Sequence, residues 1–214
     1  MSPSVAPRCV GWQRQCRLLW RNISRGWRGA ESRQRDLIVL FRGVNAWLRA
    51  SGAEHWIAYG TLLGWHRERQ ILRHDADVDF AAPVAASERI RQSGAQLPAG
   101  FALFDSSHRH RGPKLYITYR GREADIYFYR DENGLLQSTE SSINPGEFAP
   151  FPRELVFPLI EATLHGAIID VPGRAEDLLR HHYRYLGPDA VRDPSTRFFR
   201  PRQAATAKTK THQL

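Results

Sequence analysis

Residues 60–64 read Gly-Thr-Leu-Leu-Gly, and residues 75–79 read Asp-Ala-Asp-Val-Asp. The apolar run at residues 55–59 predicts a short strand before the first motif, and the motif itself opens a brief apolar helix. Residues 78–81 predict the next strand. A Gly-Thr turn at a helix N-terminus presents backbone N–H groups and a hydroxyl to an anion. The two motifs therefore predict a strand, a turn, a helix start and a second strand that carries carboxylates.

The second motif places three carboxylates, Asp75, Asp77 and Asp79, at alternate positions. In an extended chain they project from one face while the residues between them enter the core. Like charges that crowd a partly buried point repel each other and raise their pKa values, unless a divalent cation holds them together. Asp125 lies between apolar neighbours in a later core-like strand and supplies a fourth carboxylate. The set predicts a Mg²⁺ (or Mn²⁺) site beside an anion-binding turn.

The rest of the chain predicts an α+β fold with a sheet flanked by helices. Apolar residues recur on one stripe of residues 31–50, and Gly52 predicts the end of that helix. Further helices are predicted at residues 86–93 and 175–186, and further strands at residues 101–104, 115–119, 124–129 and 165–171. Asn133-Gly134 predicts a turn, and residues 138–153 predict a loop.

The net charge of +9 comes from the two ends of the 214-residue chain. Eight arginines and one glutamate lie in residues 1–35, and Arg202, Lys208 and Lys210 lie in residues 201–214, which leaves 20 basic and 21 acidic side chains between them. A nearly neutral body lacks the stripe of positive charge that binding to nucleic acid requires, so we expect no nucleic-acid partner. The pattern predicts a basic segment at residues 1–30, one domain at residues 31–200 and a polar flexible tail at residues 201–214.

Residues 12–28 form the remaining notable pattern. Tryptophan and leucine recur there at helical spacing, opposite a face rich in arginine. Such a helix can lie on an anionic membrane surface or pack on the body or a partner, and the sequence leaves both possibilities open. The two cysteines lie in the first twenty residues, and no secretory signal or apolar run of bilayer length is visible. We therefore expect a cytoplasmic protein, located at the inner membrane face if this helix binds lipid.

The two motifs resemble those of the LicD/fukutin-like family of the nucleotidyltransferase-fold superfamily. Gly60–Gly64, then Arg67, then the Asp-x-Asp-hydrophobic-Asp core match that family in register, and looser landmarks extend the resemblance over residues 35–195. The resemblance implies a nucleotidyltransferase-like mixed sheet. It also implies a metal-dependent transferase that moves a phospho-alcohol from a CDP-activated donor, such as CDP-choline or a CDP-polyol, to a hydroxyl of a glycan or lipid-linked glycan.

By the same resemblance, Asp77 and Asp79 are metal ligands, and Asp125 is a further ligand or the base that accepts the proton of the acceptor hydroxyl. Asp75 is an additional ligand, or a group that orients the metal ligands without binding the metal itself. Gly60 and Thr61 hold the donor phosphate, and Arg67 neutralises it. The family's Pro-Trp before the first aspartate is Arg73-His74 here, which puts the choice of donor in question.

Lys114 is the only lysine between residues 36 and 200, and it opens the strand that precedes the Asp125 strand. It is predicted either to reach the donor diphosphate or to lie at a solvated strand end. Two other functions remain open for the whole chain. One is a glycosyltransferase that binds a nucleotide sugar through the Asp-x-Asp motif, and the other is a catalytically inactive adaptor at the membrane surface.

Overall fold

The computed structural model describes residues 27–141 and 149–202. The helices are α1 (Trp27–Ala50), α2 (Tyr59–Glu68), α3 (Ser87–Gln92) and α4 (Ala175–Tyr183). The strands are β1 (Trp56–Ile57), β2 (Asp77–Pro83), β3 (Phe101–Asp105), β4 (Lys114–Tyr119), β5 (Arg122–Glu132), β6 (Leu135–Ser138), β7 (Phe151–Pro152), β8 (Leu159–Leu164), β9 (Ala167–Pro172), β10 (Ala190–Arg192) and β11 (Phe199–Pro201). The α+β prediction is confirmed.

Seven of the described strands form one mixed sheet with the order β1-β2-β5-β4-β3. The C-terminal part of β5 also pairs with β6, and β6 pairs with β7. The pairing of β2 with β5 is parallel, and the other pairings are antiparallel. The register of this parallel pair places Asp79 of β2 directly opposite Asp125 of β5. The two carboxylate motifs thus meet on neighbouring central strands.

Helix α1 covers one face of this sheet. Its apolar stripe is buried as predicted, and Phe41 stacks on Phe80 of β2 with 5.8 Å between the ring centroids. Alternate residues of β2 and β5 on that face, such as Val78 and Ala124, are fully buried. The aspartates occupy the other positions of the same strands, so the sheet separates an apolar core face from a carboxylate-bearing face.

The second half of the chain departs from the sequence prediction. The strand expected over residues 165–171 begins only at Ala167, because His165 and Gly166 have φ values of +50° and +75° and form the turn of the β8–β9 hairpin. The expected loop over residues 138–153 contains β7, and the hairpin of β10 and β11 was not predicted. Helix α4 ends at Tyr183, before the expected Leu186.

Most of the predicted amphipathic segment of residues 12–28 and of the tail at residues 201–214 lies outside the described residues, apart from residues 27–28, which begin α1, and residues 201–202. In the described part of the chain, no helix combines the length and the apolarity needed to cross a membrane.

Candidate active site

Helix α2 and strand β2 are joined by hydrogen bonds around Asp79. The Thr61 hydroxyl accepts the backbone N–H of Asp79 at 2.8 Å, and the backbone N–H of Gly60 donates to Asp79 Oδ2 at 3.2 Å. The Asp79 carboxylate therefore lies at the N-terminus of α2, where the helix dipole and an N–H group stabilise negative charge. The predicted Gly-Thr turn forms as expected, and in this structure its N–H group donates a hydrogen bond to a carboxyl group of the chain itself.

The two glycines of the first motif have different physical roles. A methyl group at Gly60 would lie 3.4 Å from Asp75 Oδ2 and 3.5 Å from Asp79 Oδ2, which is ordinary contact distance, so this glycine keeps open the space between two carboxylates. A methyl group at Gly64 would lie 2.3 Å from the backbone oxygen of Gln70. Gly64 is therefore required for the close packing of α2 against the chain that follows it.

The aspartates influence one another strongly. Burial raises the pKa of Asp75 to about 7, and the charge of Asp77 adds to the rise. Burial, together with repulsion by Asp125, raises the pKa of Asp77 to about 6, although Lys114 acts in the opposite direction. Asp79 is the most buried, and burial together with the charges of Asp77, Asp125 and Asp75 raises its pKa well above the usual range. The four predicted carboxylates thus share one electrostatic site.

Asp75 reaches this site from the turn before β2. Its backbone N–H donates to the Leu72 carbonyl, and β2 begins only at Asp77, so Asp75 is not part of the extended chain that was expected to carry all three aspartates on one face. Its carboxylate nevertheless lies beside Gly60, and its Oδ2 atom is buried without a hydrogen-bond partner.

Lys114 is buried in an ion pair with Asp125. Its Nζ lies 2.9 Å from Asp125 Oδ1, 3.5 Å from Glu140 Oε2 and 3.1 Å from the centroid of the Tyr127 ring. Only 5% of the residue is exposed, which contradicts the alternative of a solvated strand end. Its predicted contact with the donor diphosphate stays a prediction.

Glu140 and His110 extend this network, although neither was predicted as a site residue from the sequence. Glu140 Oε1 lies 3.1 Å from His110 Nδ1, and about 15% of each side chain is exposed. Both residues lie in polar loops far from the motifs in sequence, so no local pattern distinguishes them from surface residues. Lys114 is therefore held between two carboxylates, one from the sheet and one from the loop after β6.

The remaining two predicted substrate-binding side chains make contacts within the protein. Arg67 donates from Nε to the Leu186 carbonyl at 2.7 Å and from Nη2 to the Gly187 carbonyl at 2.9 Å, and its charge still lowers the pKa of Asp75. The Thr61 hydroxyl is fully buried beneath Asp79. That either residue, or Gly60, contacts the donor phosphate stays a prediction.

The donor set of the site fits Mg²⁺ or Mn²⁺. Carboxylate oxygens are the ligands these cations prefer, the mutual repulsion of the aspartates calls for positive charge, and Asp75 Oδ2 is a buried acceptor without a partner. Within residues 27–141 and 149–202, no three His, Cys, Asp or Glu side chains are yet arranged as a ready set of metal ligands. The site therefore fits such a cation through its oxygen donors and its negative charge, and not through a preformed arrangement of ligands among the described side chains.

Comparison with known proteins agrees with these motifs. A family model described as LicD/FKTN/FKRP, nucleotidyltransferase domain, matches residues 52–174, which include β2, β5 and all four aspartates. A solved structure, the crystal structure of ANT(2")-Ia in complex with adenylyl-2"-tobramycin, is similar to 64% of this chain and 68% of its own, with 13% identity and a TM-score of 0.43. No curated protein matches the chain. The chain belongs to the LicD/FKTN/FKRP nucleotidyltransferase-domain family, and with it to the phosphotransferase-like transferases that modify glycans.

Proposed function

We propose that this protein transfers a phospho-alcohol from a CDP-activated donor to a glycan hydroxyl and releases CMP. The observation that carries this proposal is the meeting of Asp77, Asp79 and Asp125 on one sheet face beside the N-terminus of α2. That arrangement supports the metal-and-phosphate chemistry that the resemblance implies. A cytoplasmic location, at the inner membrane face if residues 12–28 bind lipid, remains part of the proposal.

In this proposal Asp77 and Asp79 hold the divalent cation, with Asp75 as an additional ligand. The cation, when bound, neutralises the developing charge on the transferred phosphoryl group and its leaving group. Gly60 has no side chain beside these carboxylates, so residue 60 itself does not block the approach of a phosphate to the α2 N-terminus.

Asp125 is proposed as a ligand or as the acceptor of the proton from the glycan hydroxyl. Its ion pair with Lys114, at 2.9 Å, holds the carboxylate in position for either role. The acceptor oxygen forms a new bond to the phosphorus of the phospho-alcohol, the bond from that phosphorus to the oxygen of CMP breaks in line, and the hydroxyl proton leaves to Asp125 or to solvent.

The proposal is tested by Mg²⁺-dependent binding and turnover of CDP-choline, CDP-ribitol and CDP-glycerol, with UDP-glucose as the competing donor class. Asp77→Asn and Asp79→Asn should abolish metal-dependent binding, since each removes a charged oxygen ligand at almost unchanged volume. Asp177→Asn is the matched control, because Asp177 is exposed on α4 and pairs with Arg174, which is not a residue of the proposed site.

Two results would contradict the proposal. Metal-dependent binding of UDP-glucose in preference to every CDP-alcohol would favour a nucleotide-sugar glycosyltransferase. A folded protein that binds no nucleotide with Mg²⁺ or Mn²⁺ would favour the inactive adaptor.

A further inference from the structure

A stacked aromatic pair, one ring of which is exposed, lies on the sheet beside the carboxylates. Phe104 of β3 and Tyr116 of β4 stack with 4.9 Å between ring centroids and 10° between ring planes. Phe104 is 42% exposed, although burying such a ring is worth about 1.5–3 kcal/mol. The fold thus leaves on its surface an aromatic ring with a solvent-facing side that is available for contact with a ligand.

The strand register places this pair in line with the carboxylates. Asp79 pairs with Asp125, Asp125 pairs with Tyr116, and Tyr116 pairs with Phe104. Directly paired residues project from the same face of a sheet, so these four side chains form one row across β2, β5, β4 and β3. With strands about 4.8 Å apart, Phe104 lies about 10 Å from Asp125, on the side away from α2.

The two ends of this row suit different substrates, the donor at one end and the acceptor at the other. The α2 N-terminus and the unfilled space at Gly60 lie at the Asp79 end, which is the phosphate end of the proposed site. In an in-line transfer the attacking hydroxyl approaches from the side opposite the leaving group. With Asp125 between the two ends, the molecule that carries this hydroxyl extends over β4 and β3.

We propose that Phe104 and Tyr116 form an acceptor subsite that packs against the apolar face of a pyranose ring. This inference rests on the proposed function and adds to it that the acceptor presents a cyclic sugar next to the reacting hydroxyl. Flat aromatic surfaces beside a few polar groups are a usual composition for small-ligand sites.

Phe104→Ala tests the subsite, and Leu103→Ala is its matched control. Leu103 is the neighbouring residue of β3, is 39% exposed, and projects from the opposite face of the sheet. Both variants truncate an exposed apolar side chain, so both should fold. Phe104→Tyr keeps the aromatic ring and should retain function.

Binding of methyl α-glucopyranoside, methyl β-galactopyranoside and methyl α-mannopyranoside is followed by saturation-transfer NMR in the presence of Mg²⁺ and CMP, with glycerol as an acyclic alcohol. We expect wild type, Leu103→Ala and Phe104→Tyr to bind at least one methyl glycoside better than glycerol. Phe104→Ala should weaken that binding about five- to tenfold, while the Kd of the CDP-alcohol stays the same.

Three outcomes overturn the inference. Equal binding of the glycosides by Phe104→Ala and wild type, or no binding by wild type, shows that the pair is not a sugar subsite. A weaker Kd for the CDP-alcohol in Phe104→Ala, with glycoside binding intact, assigns the pair to the cytosine ring of the donor. Absence of metal-dependent nucleotide binding in the wild type overturns the proposed function itself, and this inference with it.

Discussion

Neutralising Asp77 should stabilise the metal-free protein at alkaline pH. Its folded-state pKa of about 6 lies above the usual aspartate value of 3.8, so the folded protein binds this proton more tightly than the unfolded chain does. Each pKa unit corresponds to about 1.4 kcal/mol, which makes the ionised carboxylate cost about 3 kcal/mol of folding free energy. The variant Asp77→Asn removes that cost at almost unchanged volume.

The sign of the pH dependence follows from the raised pKa. The cost is fully present above about pH 6 and is lost as the pH falls toward 3.8, where folded and unfolded chains are both protonated. In EDTA at pH 8, Asp77→Asn should be more stable than wild type by about 2–3 kcal/mol. The attraction of Asp77 to Lys114 is already contained in the net rise of its pKa. At pH 4.5 the difference should fall to about a third of this.

Thermal and urea unfolding in EDTA measure these differences, and a repeat with Mg²⁺ tests the cause. For a chain of this length, about 2 kcal/mol corresponds to a shift in Tm of roughly 4–8 °C. With Mg²⁺ the order should reverse, because only wild type keeps the full set of ligands. Asp177→Asn should stay within about 0.5 kcal/mol of wild type throughout. An Asp77→Asn variant that is less stable than wild type at pH 8 in EDTA would refute the reasoning.

Four other single substitutions test the packing around the site. Gly60→Ala should fold normally and weaken Mg²⁺-dependent nucleotide binding at least tenfold in calorimetric titration, because its methyl group lies between two carboxylates. Gly64→Ala should instead lower the free energy of unfolding in urea by about 1–3 kcal/mol, because its methyl group clashes with the Gln70 carbonyl. Lys114→Met should lower the free energy of unfolding in urea by about 3–5 kcal/mol, because Asp125 and Glu140 lose their cationic partner. Adding Glu140→Gln should restore part of the lost free energy of unfolding. Phe80→Ala should cost about 3–5 kcal/mol, since it removes a fully buried ring that stacks on α1.

Three of these predictions have an outcome that would directly contradict the role given to the residue. Normal nucleotide binding by Gly60→Ala would show that the space between Asp75 and Asp79 is not used. A Lys114→Met variant as stable as wild type would show that the ion pair with Asp125 contributes nothing net, and a Phe80→Ala variant within 1 kcal/mol of wild type would mean that α1 is not anchored on β2.

The sequence by itself determined the local parts of the site. The alternation of Asp77 and Asp79 with apolar residues, the Gly-Thr helix start and the stripe of α1 are short-range patterns, because side chains repeat every two residues in a strand and every three to four in a helix. The structure shows each of these elements close to the predicted bounds. The resemblance that rested on the two motifs is confirmed by the family match.

The tertiary structure decided what depends on long-range pairing. The parallel register of β2 and β5 brings Asp79 opposite Asp125 across 46 residues of sequence, and the same register of the sheet aligns Phe104 with them. Glu140 joins Lys114 from a polar loop, and Arg67 binds the carbonyls of residues 186 and 187. No local pattern contains such information, because the partners of a buried charge are set by which segments the sheet and its loops bring together after the chain has folded.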